Sequence, residues 1–508
     1  MIDDLPSFIK LLEETDNLTR IKVEVDPFLE ITEITKRVTR SYGPALLFEN
    51  IKGFKIPVLI NTYGSFERLN LAFNVKHMDE IGAKITNLMN LIKEKPPAGI
   101  IPKLKALAKL KEVSKISPKR VKNAPCQEVI LEGDQANLDL LPIITCWPED
   151  AGPYITLPMV ITKNPDNGIR NIGLYRLQKR DNKTLSMHWQ LHKGGAEHFN
   201  LAKAANQKIP VAIAIGADPI TIYAASAPLP PDFDEYIFSC FIRNEQLEIV
   251  ETIQGGLEVP AHSEIVLEGY VDPNEPLQIE GPFGDHTGFY SLQDKYPVFH
   301  LERITMKKHP VYITTVVGVP PQEDYFLGYA TERIFLPLMR LTLPEIIDYH
   351  MPPEGVFHNL VFVSIKKKFP GHARKVVNGL FGLGLMMLAK IIVIVDEDVN
   401  VQNAKEVWWI TLNNIDPQRD IFFTEGPMDA LDHSSRNFAY GSKMGIDATT
   451  KWADEGFTRS WPNKIVMSQE TIELVSKKWQ SYGIIIEPKD FELANILERN
   501  GLYKSKNN

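Results

Sequence analysis

Hydrophobic and polar positions follow three different rhythms along the chain. Over the first ~115 residues helical and strand-like spacing alternate. Phe8, Leu11 and Leu12 share one face of a helix predicted over Leu5–Glu14, and Thr19–Val25 alternates at period two, which predicts a strand. Ser65, Glu67 and Glu80, each ahead of apolar positions, predict helices through Lys95. Lys93–Lys122 is Lys-rich, carries Pro96, Pro97 and Pro102, and lacks interleaved aromatics, so it reads as a solvated helix and linker. From about Pro125 the rhythm changes to short β-rich runs split by Pro, Gly and Asp turns. They are Gln127–Leu131, Tyr154–Thr162, Asn171–Gln178, Val211–Ala217, Leu247–Thr252, Ile265–Val271, Val298–Lys307 and Val311–Val317. Such punctuation, with few helical stretches between, predicts a β-barrel or sandwich.

A third rhythm opens near Glu323. Asn359–Lys367 is strand-like, Ala373–Leu388 helix-like, and Ile391–Val395 a continuous apolar strand, together one βαβ unit on a parallel sheet. Lys405–Asn414 and Asp420–Thr424 extend the alternation, and Gln469–Tyr482 and Lys489–Asn500 predict terminal helices. The expected fold class is therefore α+β and multi-domain. It divides into an N-terminal α/β domain (1–118), a β-barrel domain (119–322), a C-terminal α/β domain (323–470) and a helical tail (471–508).

Composition narrows the function. The 508 residues suit about three domains at ~150 residues each. A 44% hydrophobic and 24% charged chain is globular, and a net charge of −8 disfavours nucleic-acid binding, which rests on Lys and Arg at phosphates. Cys126, Cys146 and Cys240 share no CxxC spacing, so neither a disulfide framework nor a zinc knuckle is expected, and a reducing, cytoplasmic location fits best. The N-terminus has no secretory pattern, and the most apolar stretch, 378–396, is broken by Lys390, leaving at most peripheral membrane contact. Gly379, Gly382 and Gly384 lie inside a helical pattern and reverse the GxGxxG spacing, so they read as close packing and not as a dinucleotide loop. Cys240, Trp408, Trp409, His372 and His433 read as structural.

Two segments of the β-rich middle carry chemistry. Asn171–Phe199 offers an amide, an arginine and His188, His192 and His198 around two strand-like runs. Gln278–Tyr290 places Glu280 and Asp285 on either side of a Gly-Pro-Phe-Gly loop, with His286 adjacent. Carboxylates paired on one loop repel, which is expected to raise one of them so that it holds a proton near neutrality. An arginine beside them can grip a substrate carboxylate with two hydrogen bonds.

The motifs NIGLYR (171–176), MHWQLHKGG (187–195) and EGPFGDHTGFY (280–290) closely resemble the UbiD family of decarboxylases, which use prenylated FMN. So do EDYFLGYATE (323–332), LPEIIDYHMPPEG (343–355) and GSKMGIDATTKW (441–452). The resemblance implies that the middle domain is a split β-barrel like that of flavin reductases, between N- and C-terminal α/β domains with a terminal helix. By position it implies a catalytic set of Arg176, Glu280 and Asp285. It also implies metal ligands Asn171, His192 and Glu235, for a divalent ion, typically manganese with potassium nearby, that holds the cofactor phosphate. Leu174, Tyr175, Arg176, His188, Trp189, Gln190, Lys193 and Gly194 fall where the family binds flavin. Relatives of the ubiquinone pathway carry Arg where this chain has His188 and Lys193, and both changes weaken bidentate contacts.

The implied activity is non-oxidative decarboxylation of an aromatic acid in quinone biosynthesis. The substrate is expected to be a 3-polyprenyl-4-hydroxybenzoate or a dihydroxynaphthoate; DPQRD (416–420), GPMDALDH (426–433) and His188 lean toward the second. A reversible carboxylase of a phenol stays open as an alternative. A non-catalytic flavin-binding subunit is disfavoured, because all six catalytic and metal positions are kept. Dependence on a flavin prenyltransferase and a homo-oligomer (dimer or hexamer) complete the expectation.

Overall fold

The computed structural model describes residues 2–93, 117–190, 193–230 and 232–484. Most of the expected linker Lys93–Lys122, the helix expected at Lys489–Asn500, and His192 lie outside the described residues. The chain divides into two compact units, one of Met1–Pro337 with Asp429–Ser434, the other of Leu338–Met428 with Ser435–Asn508.

The first unit begins with the helix Leu5–Glu14. Its start is fixed by Asp4, whose carboxylate accepts from the Ser7 amide at 2.9 Å, and it buries Leu5, Phe8, Ile9 and Leu12. A four-stranded sheet follows in the order Leu18–Ile21, Ala45–Phe48, Val58–Ile60, Tyr312–Ile313. Its last strand is drawn from the run Val311–Val317 that the sequence pattern assigns to the barrel: Tyr312 and Ile313 pair in parallel with Val58 and Leu59. The helices expected between Ser65 and Lys95 are Phe66–Phe73, capped by Ser65, and Asp79–Lys93.

The functional scaffold is an antiparallel sheet of nine strands. Its main path runs Tyr154–Ile155, Leu177–Lys179, Thr184–Met187, Val298–Met306, Ile265–Val271, Ile209–Ile215, Met159–Lys163, Arg170–Leu174, and Val129–Glu132 pairs with Val298–Met306 off that path. Arg170–Leu174 ends the path, whereas Leu177–Lys179 lies near its other end, yet only Tyr175 and Arg176 separate the two in sequence. Three Cα–Cα steps span at most ~11 Å, so the sheet must curl until its ends nearly meet. The result is a half-barrel whose mouth is bridged by Tyr175 and Arg176.

The sequence pattern allowed few helices in this region, but the sheet carries three: Gly194–Ala204, Pro219–Ala224 and Glu235–Arg243. The last two start at Asp218 and Asp234, whose side chains accept from backbone amides of the first turn. These helices are short, of 11, 6 and 9 residues, and lie among the strands, which masked their period.

The second unit is a five-stranded sheet in the order Ile346–His350, Leu360–Ile365, Ile391–Asp396, Tyr440–Asp447, Ile421–Pro427. The three central strands are parallel, in accord with the apolar runs of Leu360–Ile365 and Ile391–Asp396, while both edge strands are antiparallel. The helix His372–Phe381 joins two of the parallel strands. Gly379 lies on that helix against Leu343, where a Cβ would come within 2.9 Å of a methyl. That close approach explains a glycine there without a phosphate. No helix among the described residues is long and apolar enough to cross a membrane.

Candidate active site

Arg176 lies at the mouth of the half-barrel with a side chain only 8% exposed. Its guanidinium meets Glu280 edge-on, Nε donating to Oε1 and Nη2 to Oε2, each at 2.9 Å. Nη1 donates to Asp285, and Nη2 also reaches the Ser291 hydroxyl at 3.0 Å. The Phe283 ring packs 4.9 Å from the guanidinium carbon. His188 completes the arrangement, its Nδ1 lying 3.2 Å from Glu280 Oε2 and its ring 4.4 Å from that of Tyr296.

The loop holding the two acids is built to present them. Glu280 ends the strand Gln278–Glu280, which pairs with Asp294–Tyr296. Gly281 then turns at φ +89°, a region glycine enters without cost. Its amide donates to Gln178 on the neighbouring strand at 3.1 Å. Gly284 donates to Asp150 Oδ1 at 2.7 Å, and a Cβ at Gly284 would overlap the Trp147 ring, so glycine alone fits. His286 closes the loop by placing Nδ1 at 2.9 Å from Asp285 Oδ1.

The electrostatics correct one expectation. Paired acids on one loop were expected to push one of them upward. Burial does act in that direction on Glu280, but the His188 hydrogen bond and the Arg176 charge outweigh it and hold Glu280 at about 2. Burial also opposes the charge on Asp285, and Arg176 with His286 drives its carboxyl well below the ordinary range. The guanidinium placed between the acids reverses the sign. The carboxyl that does rise is Asp150, pushed by burial to about 6 despite accepting from the Cys146, Trp147 and Gly284 amides.

Asn171, Gly194 and Glu235 are also brought close to the barrel mouth. Asn171 lies on the strand Arg170–Leu174, and Glu235 Oε2 accepts from the amide of the next residue, Ile172, at 3.0 Å. Gly194 opens its helix against Asn171, where a Cβ would overlap the Asn171 amide oxygen. Tyr175 is buried below, its hydroxyl accepting from the Gly195 amide at 3.3 Å. Lys193 is exposed and stands at the N-cap of the same helix. A helix N-terminus beside a lysine suits a phosphate. Asn and carboxylate oxygens suit a hard divalent cation, and burial pushes Glu235 up to about 8, a cost that a bound cation would relieve. His188 Nε2, an acceptor in the neutral ring whose Nδ1–H faces Glu280, and Trp189 Nε1, a donor, are buried without a hydrogen-bond partner among the described residues, leaving one of each for a polar ligand. The residues present fit both a flavin phosphate and a metal.

Models of three consecutive domains of 3-octaprenyl-4-hydroxybenzoate carboxy-lyase match this chain. The N-terminal domain matches residues 9–85, the Rift-related domain 119–320 and the C-terminal domain 325–448. The chain belongs to the UbiD family of carboxy-lyases. An uncharacterized protein of Aquifex aeolicus is 52% identical over 95% of this chain and 99% of its own length. Among solved structures, vanillic acid decarboxylase of Sedimentibacter hydroxybenzoicus in its closed form is 28% identical, covers 94% of this chain and 98% of its own, and superposes with a TM-score of 0.81. An evolved dimeric form of the UbiD-class enzyme HmfF from Pelotomaculum thermopropionicum, in complex with prFMN, is 28% identical, covers 90% and 97%, and gives a TM-score of 0.73.

Within this UbiD-family chain, sequence reasoning missed Asp150, Ser291 and Tyr296. Asp150 stands 134 positions from the amide it anchors, and no local spacing marks it. His198, grouped with the candidate histidines, instead bonds Thr162 Oγ1 at 2.8 Å and is structural. Cys240 is buried, in accord with a core thiol, and Trp408 packs edge-on against Phe362.

Proposed function

We propose that this protein removes CO₂ from an aromatic acid without net oxidation, using prenylated FMN carried on the half-barrel in the manner of a flavin-reductase-like split barrel. Leu174–Arg176, His188–Gln190, Lys193 and Gly194 would hold the flavin, and Asn171 and Glu235 with His192 would bind the manganese that anchors its phosphate. Bound prenylated FMN supplies an electron sink for the pair left behind when CO₂ departs. The rest falls to the protein's own side chains.

The observation that carries this reading is the buried Arg176–Glu280–Asp285 cluster. Its guanidinium is already bound edge-on by a carboxylate, the geometry a substrate carboxylate would take. A substrate acid must therefore displace Glu280. Once displaced, Glu280 is a buried carboxyl without its cation, and burial drives it to take up a proton. Substrate binding in this way arms the acid that then protonates the carbon vacated by CO₂. Asp285, held on the same guanidinium, tunes that exchange.

The substrate class follows the motif resemblance: a dihydroxynaphthoate or 3-polyprenyl-4-hydroxybenzoate of quinone biosynthesis, with the naphthoate favoured. A flavin prenyltransferase supplies the cofactor, and the protein acts as a homo-oligomer. The test is co-expression with a flavin prenyltransferase, an optical spectrum, and a decarboxylation screen of both substrate classes. Glu280→Gln should abolish turnover while flavin stays bound; wild-type turnover in that variant would remove Glu280 from the role of acid.

A further inference from the structure

Glu280 has no exposed side-chain surface, so it cannot take its proton from water directly. Two histidines lead away from the cluster. His188 touches Glu280, but its outer nitrogen Nε2 is buried, and among the described residues no hydrogen bond continues from it toward water. The other direction runs outward. Side-chain exposure rises from 0% at Glu280 to 8% at Arg176, 10% at Asp285 and 16% at His286. Asp285 Oδ1 and His286 Nδ1 are 2.9 Å apart, a direct hydrogen bond.

We propose that His286 is a positioning residue for the protonation step, passing protons from water to Asp285 and through it reloading Glu280. The proposal rests on the decarboxylase reading above. In the transfer the Nδ1–H bond of the imidazolium breaks, an O–H bond forms on Asp285 Oδ1, and the ring regains its proton from water. No electrons move. In the resting cluster Arg176 keeps Asp285 ionised, so the proton stays on the ring. When a substrate carboxylate takes the guanidinium edge from Glu280, Asp285 shares the Arg176 charge with it, that support weakens, and the two acids share the proton the ring gives up.

The surroundings keep His286 charged. Burial opposes the cation, but the hydrogen bond and charge of Asp285 lift the ring to about 9, with Asp429 and Asp324 contributing from a loop and a helix that face it. Asp324 is itself pushed up by burial to about 7, which leaves it partly protonated near neutrality.

The test uses the full-length, flavin-loaded enzyme. His286→Gln keeps a hydrogen bond to Asp285 but cannot cycle a proton. It should lower kcat by at least ~10-fold, a modest share of the roughly 10²–10⁴ that positioned acids and bases supply. KM and the flavin spectrum should stay unchanged, the solvent deuterium isotope effect should grow, and added imidazole should restore rate. His286→Asn serves the same comparison if the Gln variant does not fold. In cofactor-free protein, carboxyl ¹³C NMR should show Asp285 titrating at higher pH in the variant. Wild-type kcat and isotope effect in His286→Gln, beside an inactive Glu280→Gln, would overturn the relay alone. An active Glu280→Gln would overturn the decarboxylase mechanism itself.

Discussion

Two patches at the barrel mouth are built on opposite principles. Around Arg176 every charge has its counter-charge: Glu280 edge-on, Asp285 on the remaining nitrogen and His286 on the other Asp285 oxygen, while His188 Nδ1 adds a hydrogen bond to Glu280 Oε2. Around Asn171 the protein stops short of satisfying itself. Glu235 accepts from the Ile172 amide and is lifted by burial, and Trp189 Nε1 is buried without a partner among the described residues. A charge-paired cluster is assembled by the chain alone and must be opened by substrate. An undersatisfied one is finished by whatever binds there. Under the proposed function the contrast separates reaction chemistry from cofactor retention, and substitutions should separate them too.

The largest effect is expected at Arg176. Removing one partner from a buried ion pair leaves its acids uncompensated, at a cost of about 3–5 kcal/mol. Arg176→Gln should therefore lower the thermal midpoint strongly and abolish turnover. The pH dependence carries the sign. Glu280 is held at about 2, below its ordinary value of 4.5. Its contribution to stability is thus complete above 4.5 and is lost as pH falls toward 2. The variant lacks that contribution, so the gap between wild type and Arg176→Gln should narrow on acidification in calorimetric scans. A gap that widened toward acid pH would show that Arg176 does not hold Glu280 ionised.

A smaller and different effect is expected at Asn171. Asn171→Ala should leave the thermal midpoint of cofactor-free protein nearly unchanged, since among the described residues its side chain makes only a long 3.4 Å bond to the Tyr175 hydroxyl. If the proposed site holds flavin and a divalent metal, the amounts of both retained after gel filtration should fall at least ~10-fold, in line with the losses seen when metal-site partners are removed. Equal flavin content in variant and wild type would place the metal elsewhere.

The sequence pattern reveals parts of this contrast unequally. The loop carrying Glu280 and Asp285 is legible because Gly281, Pro282 and Gly284 forbid a helix between two acids. That Arg176 joins them is not legible from spacing, since 104 residues separate it from Glu280; only motif resemblance connects them. The expected rise of one carboxyl fails because it weighs repulsion between sequence neighbours against an arginine acting on one acid, whereas Arg176 binds both and lowers both. Tyr312–Ile313 shows the limit for the fold: its alternation announces a strand, but its partner Val58–Ile60 lies some 250 positions earlier. The parallel core of the second unit is legible from IIVIV at 391–395, whereas its antiparallel edges are not, because edge strands take their direction from connections and not from composition.

The smallest expected effect sharpens the undersatisfied side. Lys193 stands at the N-cap position of the helix whose first turn lies against Asn171, and a lysine offers a phosphate one mobile point charge. Arginine offers a planar fork able to make two parallel hydrogen bonds to the same anion. If the patch is a phosphate site, Lys193→Arg should slow flavin release a few-fold, up to ~10-fold, a change of about 1.4 kcal/mol at most. It should leave the Arg176 cluster untouched, so kcat per bound flavin stays at the wild-type value. Stopped-flow dilution, monitoring flavin fluorescence, measures the release rate directly. An unchanged release rate with unchanged kcat would remove Lys193 from the phosphate contacts. A changed kcat per flavin would mean that the two patches are coupled, and that closing one with its ligand already begins to open the other.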